Sequence, residues 1–120
     1  MPRNRFVTAK TKRLELSDGD WIEVKERLNV GEKKTLDGAG VKRSFGAPPE
    51  IDWPNYHIKR AMVWLVDWSF QDEDGKQQEL TEEAVRALDP DDFDELQIAL
   101  VTHIAEGEAA KKAKTTTPNS

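Results

Sequence analysis

The sequence contains no cysteine, which excludes a disulfide framework, a thiolate metal site and a catalytic thiol. A reducing compartment, the cytosol, is therefore its natural setting. Long apolar runs are also missing. The longest, Ala61 to Val66, falls far short of the roughly 20 residues that cross a bilayer, and the basic N-terminus lacks the apolar stretch of a secretion signal. No membrane partner is expected. His57 and His103 are the only imidazoles, and neither has the spacing of a zinc site or stands beside an evident nucleophile. Ser17, Ser44 and Ser69 lack nucleophile-elbow glycines. Gly38-Ala39-Gly40 leads into Val41-Lys42-Arg43 rather than into a phosphate-cradling motif. An enzyme is not expected, and neither is a cofactor.

Calcium is tested by Asp72-Glu73-Asp74-Gly75, which looks like part of an EF-hand. With Gly75 in the glycine position, the first and twelfth ligand positions fall on Phe70 and Thr81, so the acid needed at each end is missing. The acids Asp89, Asp91, Asp92 and Asp94 are accounted for by a helix start. No metal site is expected.

What is present is charge, and it is unevenly spread. The chain has 120 residues, 37% hydrophobic and 34% charged, with a net charge of −5, enough for one small domain with a modest core. Residues 1–13 carry five basic groups and no acid, and 107–120 carry Lys111, Lys112 and Lys114 against Glu108 alone. The body, 14–106, therefore holds 10 basic against 22 acidic residues, or −12. An acidic body does not track phosphate backbones, so no nucleic-acid partner is expected.

Local pattern gives an α+β fold: an N-terminal β-hairpin, a long loop, a hydrophobic central segment that is helix or strand, and two C-terminal helices. The turn cluster Ser17-Asp18-Gly19-Asp20 predicts a hairpin pairing about 11–16 with 21–28, Ile22 and Val24 sharing a face with Leu28. Residues 31–55 hold most of the glycines and half of the prolines and read as a long loop, the first place to look for a partner site. In residues 57–70 helical spacing aligns Ile58, Ala61, Trp64, Leu65 and Trp68, whereas strand spacing aligns Trp64, Val66, Trp68 and Phe70. A helix over about 56–66 passing into extended chain at Trp68–Phe70 is the favoured reading. Trp21, Trp64 and Trp68 are expected to fill the core. Thr81 caps a short helix over 82–88. Asp89-Pro90 opens a second that buries Phe93, Leu96, Leu100 and Ile104 and stops at Gly107. In domain terms, 1–12 is a disordered basic arm, 13–106 the domain and 107–120 a disordered tail.

Three stretches together carry a resemblance: Leu-Ser-Asp-Gly-Asp-Trp-Ile-Glu-Val-Lys at 16–25, Val-Trp-Leu-Val-Asp-Trp-Ser-Phe-Gln-Asp-Glu-Asp-Gly-Lys at 63–76, and Leu-Thr-Glu-Glu-Ala-Val-Arg-Ala-Leu-Asp-Pro-Asp-Asp-Phe-Asp-Glu-Leu at 80–96. In order and spacing they resemble the tail assembly chaperones of long-tailed, siphovirus-type bacteriophages. The resemblance implies a non-catalytic protein of the infected bacterial cytoplasm. Such a protein binds the helical tape measure protein, presents it to the tail tube protein and leaves before the particle matures. It also implies, for many members, a longer form made by ribosomal frameshifting. A virion subunit of the tail or of the head-to-tail connector has the same size and layout, and stays open as the alternative. So do an acidic DNA mimic and a homo-oligomer. For partner contacts the candidates are Ile51, Trp53 and Tyr56, an aromatic cluster bracketed by prolines, with Lys42 and Arg43 as electrostatic guides.

Overall fold

The first element is set by its turn. In the computed structural model, which describes residues 5–42 and 45–115, β1 (Thr11–Glu15) and β2 (Trp21–Lys25) pair antiparallel with Glu15 opposite Trp21. Between them Asp18 and Gly19 take left-handed conformations at φ 58° and 78°, which aspartate tolerates and glycine adopts without cost. The turn is tied down from outside: the Ser17 backbone N–H and hydroxyl both donate to the Glu95 carboxylate, at 3.1 and 2.9 Å. Alternation puts Ile22 and Val24 inward, both at 0% exposure. It leaves Trp21 half-buried on the outer face, where the Arg13 guanidinium lies 3.7 Å from its ring centroid. Trp21 thus serves as a cation–π platform on the sheet rather than as a core filler. Because Thr11 and Lys12 already pair with Lys25 and Val24, the N-terminal arm is shorter than its composition predicts.

The segment expected to be a single long loop contains a helix and a small hairpin. Asn29 caps α1 (Val30–Asp37) through a capping box: its side chain accepts the Glu32 N–H, and the Glu32 carboxylate accepts the Asn29 N–H at 2.9 Å while also meeting Lys25. Gly40, at φ 73°, turns the chain into β3 (Val41–Lys42), which pairs with β4 (Glu50–Ile51). High glycine and proline content therefore marks the turns here rather than an absence of structure. Lys42 stands opposite Glu50 in that pair.

Next come α2 (Trp53–Trp64) and, without an intervening turn, β5 (Leu65–Trp68), which pairs antiparallel with β2 to complete a sheet ordered β1-β2-β5. The helix ends two residues earlier than expected, and the extended stretch after it is a sheet strand. A register shift between Glu23 and Val24, whose partners are Asp67 and Leu65, leaves Val66 as an extra residue on β5. Leu65 and Trp68, three apart, can then both face inward, while Val66 is exposed. This bulge is the physical reason that a helical stripe continues into a strand.

Beyond β5 the chain is locked by hydrogen bonds. The Ser69 hydroxyl donates to Asp20 Oδ1 at 2.9 Å and accepts the Trp21 N–H at 2.9 Å, and Trp68 Nε1 donates to the Gln78 carbonyl at 2.6 Å. Asp72 Oδ1 accepts the N–H groups of Asp74 and Lys76, so this acid shapes its own turn. Thr81 caps α3 (Glu82–Arg86), and Asp89 accepts the first N–H groups of α4 (Pro90–Thr115). The core joins Ile22, Val24, Ala61, Trp64, Leu65, Trp68, Val85, Leu96 and Leu100, with Phe93 and Ile104 packed at its edge.

Gly107 does not stop α4, which runs on to Thr115 through residues expected to be unstructured. A mid-helix glycine weakens a helix by about 1 kcal/mol relative to alanine rather than ending it, and Ala105, Glu106, Ala109 and Ala110 around it are strong helix formers. Residues 116–120 of the expected tail, and 1–4 of the arm, lie outside the described residues.

Glu32 makes one acid-range prediction. The Asn29 N–H and the Lys25 ammonium hold its carboxyl below the ordinary value of 4.5. A depressed carboxyl contributes its full stabilisation above pH 4.5 and loses it as pH falls through the lowered folded-state value. Glu32→Gln is therefore expected to make the fall of the urea midpoint between pH 5 and 3 shallower than in the wild type. Equal slopes would show that the pairing adds nothing to stability.

Candidate partner-binding site

The start of α2 gathers the aromatic side chains singled out from sequence. Asp52 caps the helix, its Oδ1 accepting the Asn55 N–H at 3.3 Å, and Pro54 occupies the first turn, where a missing N–H has no helical partner to lose. Trp53 therefore leaves the helix at its very tip, 57% exposed, with Ile51 before it at 47%. Tyr56 and His57 follow on the next turn. Trp53 meets Tyr56 edge-on at 5.6 Å between ring centroids, and the His57 ring lies 6.4 Å from Trp53 and 6.1 Å from Tyr56. Burial and the nearby Arg60 charge hold His57 below its usual pKa, so at pH 7 it is a neutral member of an aromatic triplet.

The hairpin β3–β4 braces this tip. The Asp52 N–H donates to the Gly40 carbonyl at 2.8 Å, and a side chain at Gly40 would put its Cβ 3.0 Å from the Asp52 carbonyl oxygen and from the Tyr56 backbone nitrogen and Cβ. Gly40→Ala is expected to destabilise by about 2 kcal/mol, from the positive φ together with that clash. Thermal unfolding followed by circular dichroism checks it. An unchanged Tm would mean that the hairpin does not set the tip.

Trp53 forms one wall of an open groove of about 410 Å³, continued by His57 and Ile58 and closed by Val85 of α3, Leu88 of the α3–α4 connection and Phe93 of α4. Its geometry is held by polar ties across the helices: Lys59 to Glu82 at 2.5 Å, Arg86 to Glu82 at 3.2 Å, and Arg86 to Asn55 at 2.8 Å. The Lys59 ammonium in particular keeps the Glu82 carboxyl below its ordinary value.

Of the residues chosen from sequence, Ile51, Trp53 and Tyr56 meet at this tip, though Tyr56 is half-buried under Gly40 rather than freely offered. Lys42 lies on β3, and Arg43 lies outside the described residues. Sequence reading missed the far wall. Leu88 reads as the end of one short helix and Phe93 as part of the buried stripe of the next, but nothing in their spacing says that they share a groove with Trp53. Comparison with known protein families, with characterised proteins and with solved structures finds no match to this chain.

Proposed function

We propose that this chain is a non-catalytic phage tail assembly chaperone that binds the tape measure protein and delivers it to the tail tube protein. The observation that carries the reading is the exposed Trp53–Ile51 tip standing at the wall of an apolar groove on an acidic body. An exposed aromatic beside a groove is the usual anchor of a protein interface. The surrounding negative charge favours solubility while an elongated, apolar-striped helical client is held. The resemblance of residues 16–25, 63–76 and 80–96 to tail assembly chaperones supplies the client's identity.

The test is co-expression with the tape measure protein encoded by the same phage. The client is expected to stay in the soluble fraction and to co-purify with this chain. A tape measure protein that precipitates equally with and without it would contradict the proposal.

A further inference from the structure

Two N–H donors on α2 are out of contact with solvent and have no acceptor among the described residues: Arg60 Nε and the indole Nε1 of Trp64. A buried donor left without an acceptor destabilises a fold, so two of them on successive turns call for an explanation. The residues are i and i+4 and so lie on one face of the helix. Both line a second cavity, where the β2–α1 connection, α1, α2 and the distal half of α4 converge. Its volume is about 500 Å³, well within the range of small-molecule sites.

The cavity's make-up is that of an amphiphile site. Leu28, Leu36 and Ile104 supply apolar wall. Trp64 is only 8% exposed, and its ring meets His103 edge-on at 5.8 Å. The His103 Nε2 faces the Lys25 carbonyl at 2.9 Å, so that nitrogen carries the proton and is already engaged. Arg60 is held at its outer nitrogen by Gln97 at 2.9 Å and passes over the Tyr56 ring, and no carboxylate pairs with it among the described residues. Arg27, Lys33 and Arg60 balance Glu26, Asp37 and Glu108 around the cavity, and of the three cations Arg60 is the one with a stranded donor.

Gly107 adds an independent observation. It lies on the α4 wall of the cavity, and a Cβ there would meet nothing within 4 Å. Packing within the chain therefore does not require glycine at this helical position, where it is destabilising. A side chain there would stand in the open space beside this wall of the cavity.

We propose that this cavity binds a carboxylate carried on an apolar body, with the two oxygens accepting from Arg60 Nε and Trp64 Nε1 and the hydrocarbon part lying on Leu28, Leu36 and Ile104. Binding parts the lining around Arg60 and gives both stranded donors an acceptor. The same chemistry is offered by a free fatty acid and by the C-terminal residue of a polypeptide, and the two are separated by the choice of probe.

Isothermal titration of the full chain with octanoate, with 1-octanol, and with a short peptide ending in leucine as free acid or as amide tests the site. Octanoate or the peptide acid is expected to bind one to one, and its uncharged counterpart at least about tenfold more weakly. The acid that binds identifies the source. Trp64→Phe, which keeps a ring and removes the N–H, and Arg60→Gln are each expected to weaken the acid at least about tenfold in a protein that stays folded by circular dichroism. Gly107→Leu, which fills the cavity from the outer helix and improves helix propensity, is expected to abolish binding in a folded protein. Equal affinity for acid and uncharged counterpart, wild-type affinity in Gly107→Leu, or no binding of either acid would overturn the proposal.

Discussion

Replacing Trp68 by alanine is expected to lower the unfolding free energy by about 3–5 kcal/mol, a large share of the roughly 5–15 kcal/mol that a native domain has. Trp68 is 1% exposed and the largest fully buried side chain. It sits at the end of β5, opposite Ile22, with Phe70 against its ring at 4.9 Å. Its Nε1 also donates to the Gln78 carbonyl, which keeps the 69–78 connection folded back along the strand. Alanine therefore leaves a cavity, orphans that carbonyl and releases the connection together. The Tm is expected to fall by more than about 10 °C, with Trp68→Phe intermediate because the ring persists and the hydrogen bond does not. A fall of only a few degrees in Trp68→Ala would mean that the core is centred elsewhere.

The second large effect concerns binding rather than folding. Trp53 is more than half exposed at the α2 tip, and its contacts within the chain include an edge contact to Tyr56, a tilted one to His57 and the groove wall. Trp53→Ala is expected to change stability by less than about 1 kcal/mol. If the proposed function holds, affinity for the tape measure protein is expected to fall by about 2 kcal/mol, or roughly thirtyfold, the size of an aromatic hot-spot loss. Tyr56→Ala should behave differently, losing stability as well, because the half-buried Tyr56 backs onto Gly40. Titration calorimetry paired with thermal unfolding separates the two. Unchanged affinity in Trp53→Ala would remove the tip from the interface.

The elements legible in the sequence were those written in local chemistry. The Asp18-Gly19 turn, the Thr81 cap and the Asp89-Pro90 helix start each satisfy backbone groups within a few residues, and each forms where its pattern predicts. The central segment was ambiguous for a reason now visible: Ala61 and Trp64 face the core by helical period, and Leu65 and Trp68 continue the stripe only because a bulge at Val66 restores their facing. A bulge is set by the partner strand, so periodicity alone does not reveal it. Between 31 and 55 the density of glycine and proline suggested loop, which hides the helix opened by the Asn29–Glu32 capping box. The two-residue strands β3 and β4 depend on Gly40 seating against Asp52 and Tyr56, a tertiary contact.

The candidate site divides the same way. The exposure of Ile51 and Trp53 follows from their position around a proline-bearing helix start. The groove depends on how α3 and α4 dock, and the cavity containing Arg60 and Trp64 on how α1 and α4 converge. No short-range spacing encodes either arrangement.

Quantitative mass spectrometry of infected cells and of the mature virions purified from them tests the central claim most directly. A chaperone acts during assembly and then leaves, so this chain is expected to be abundant in the cells and absent from the particles. Recovery from virions at a fixed ratio to the tail tube protein would contradict the account and make the chain a structural subunit.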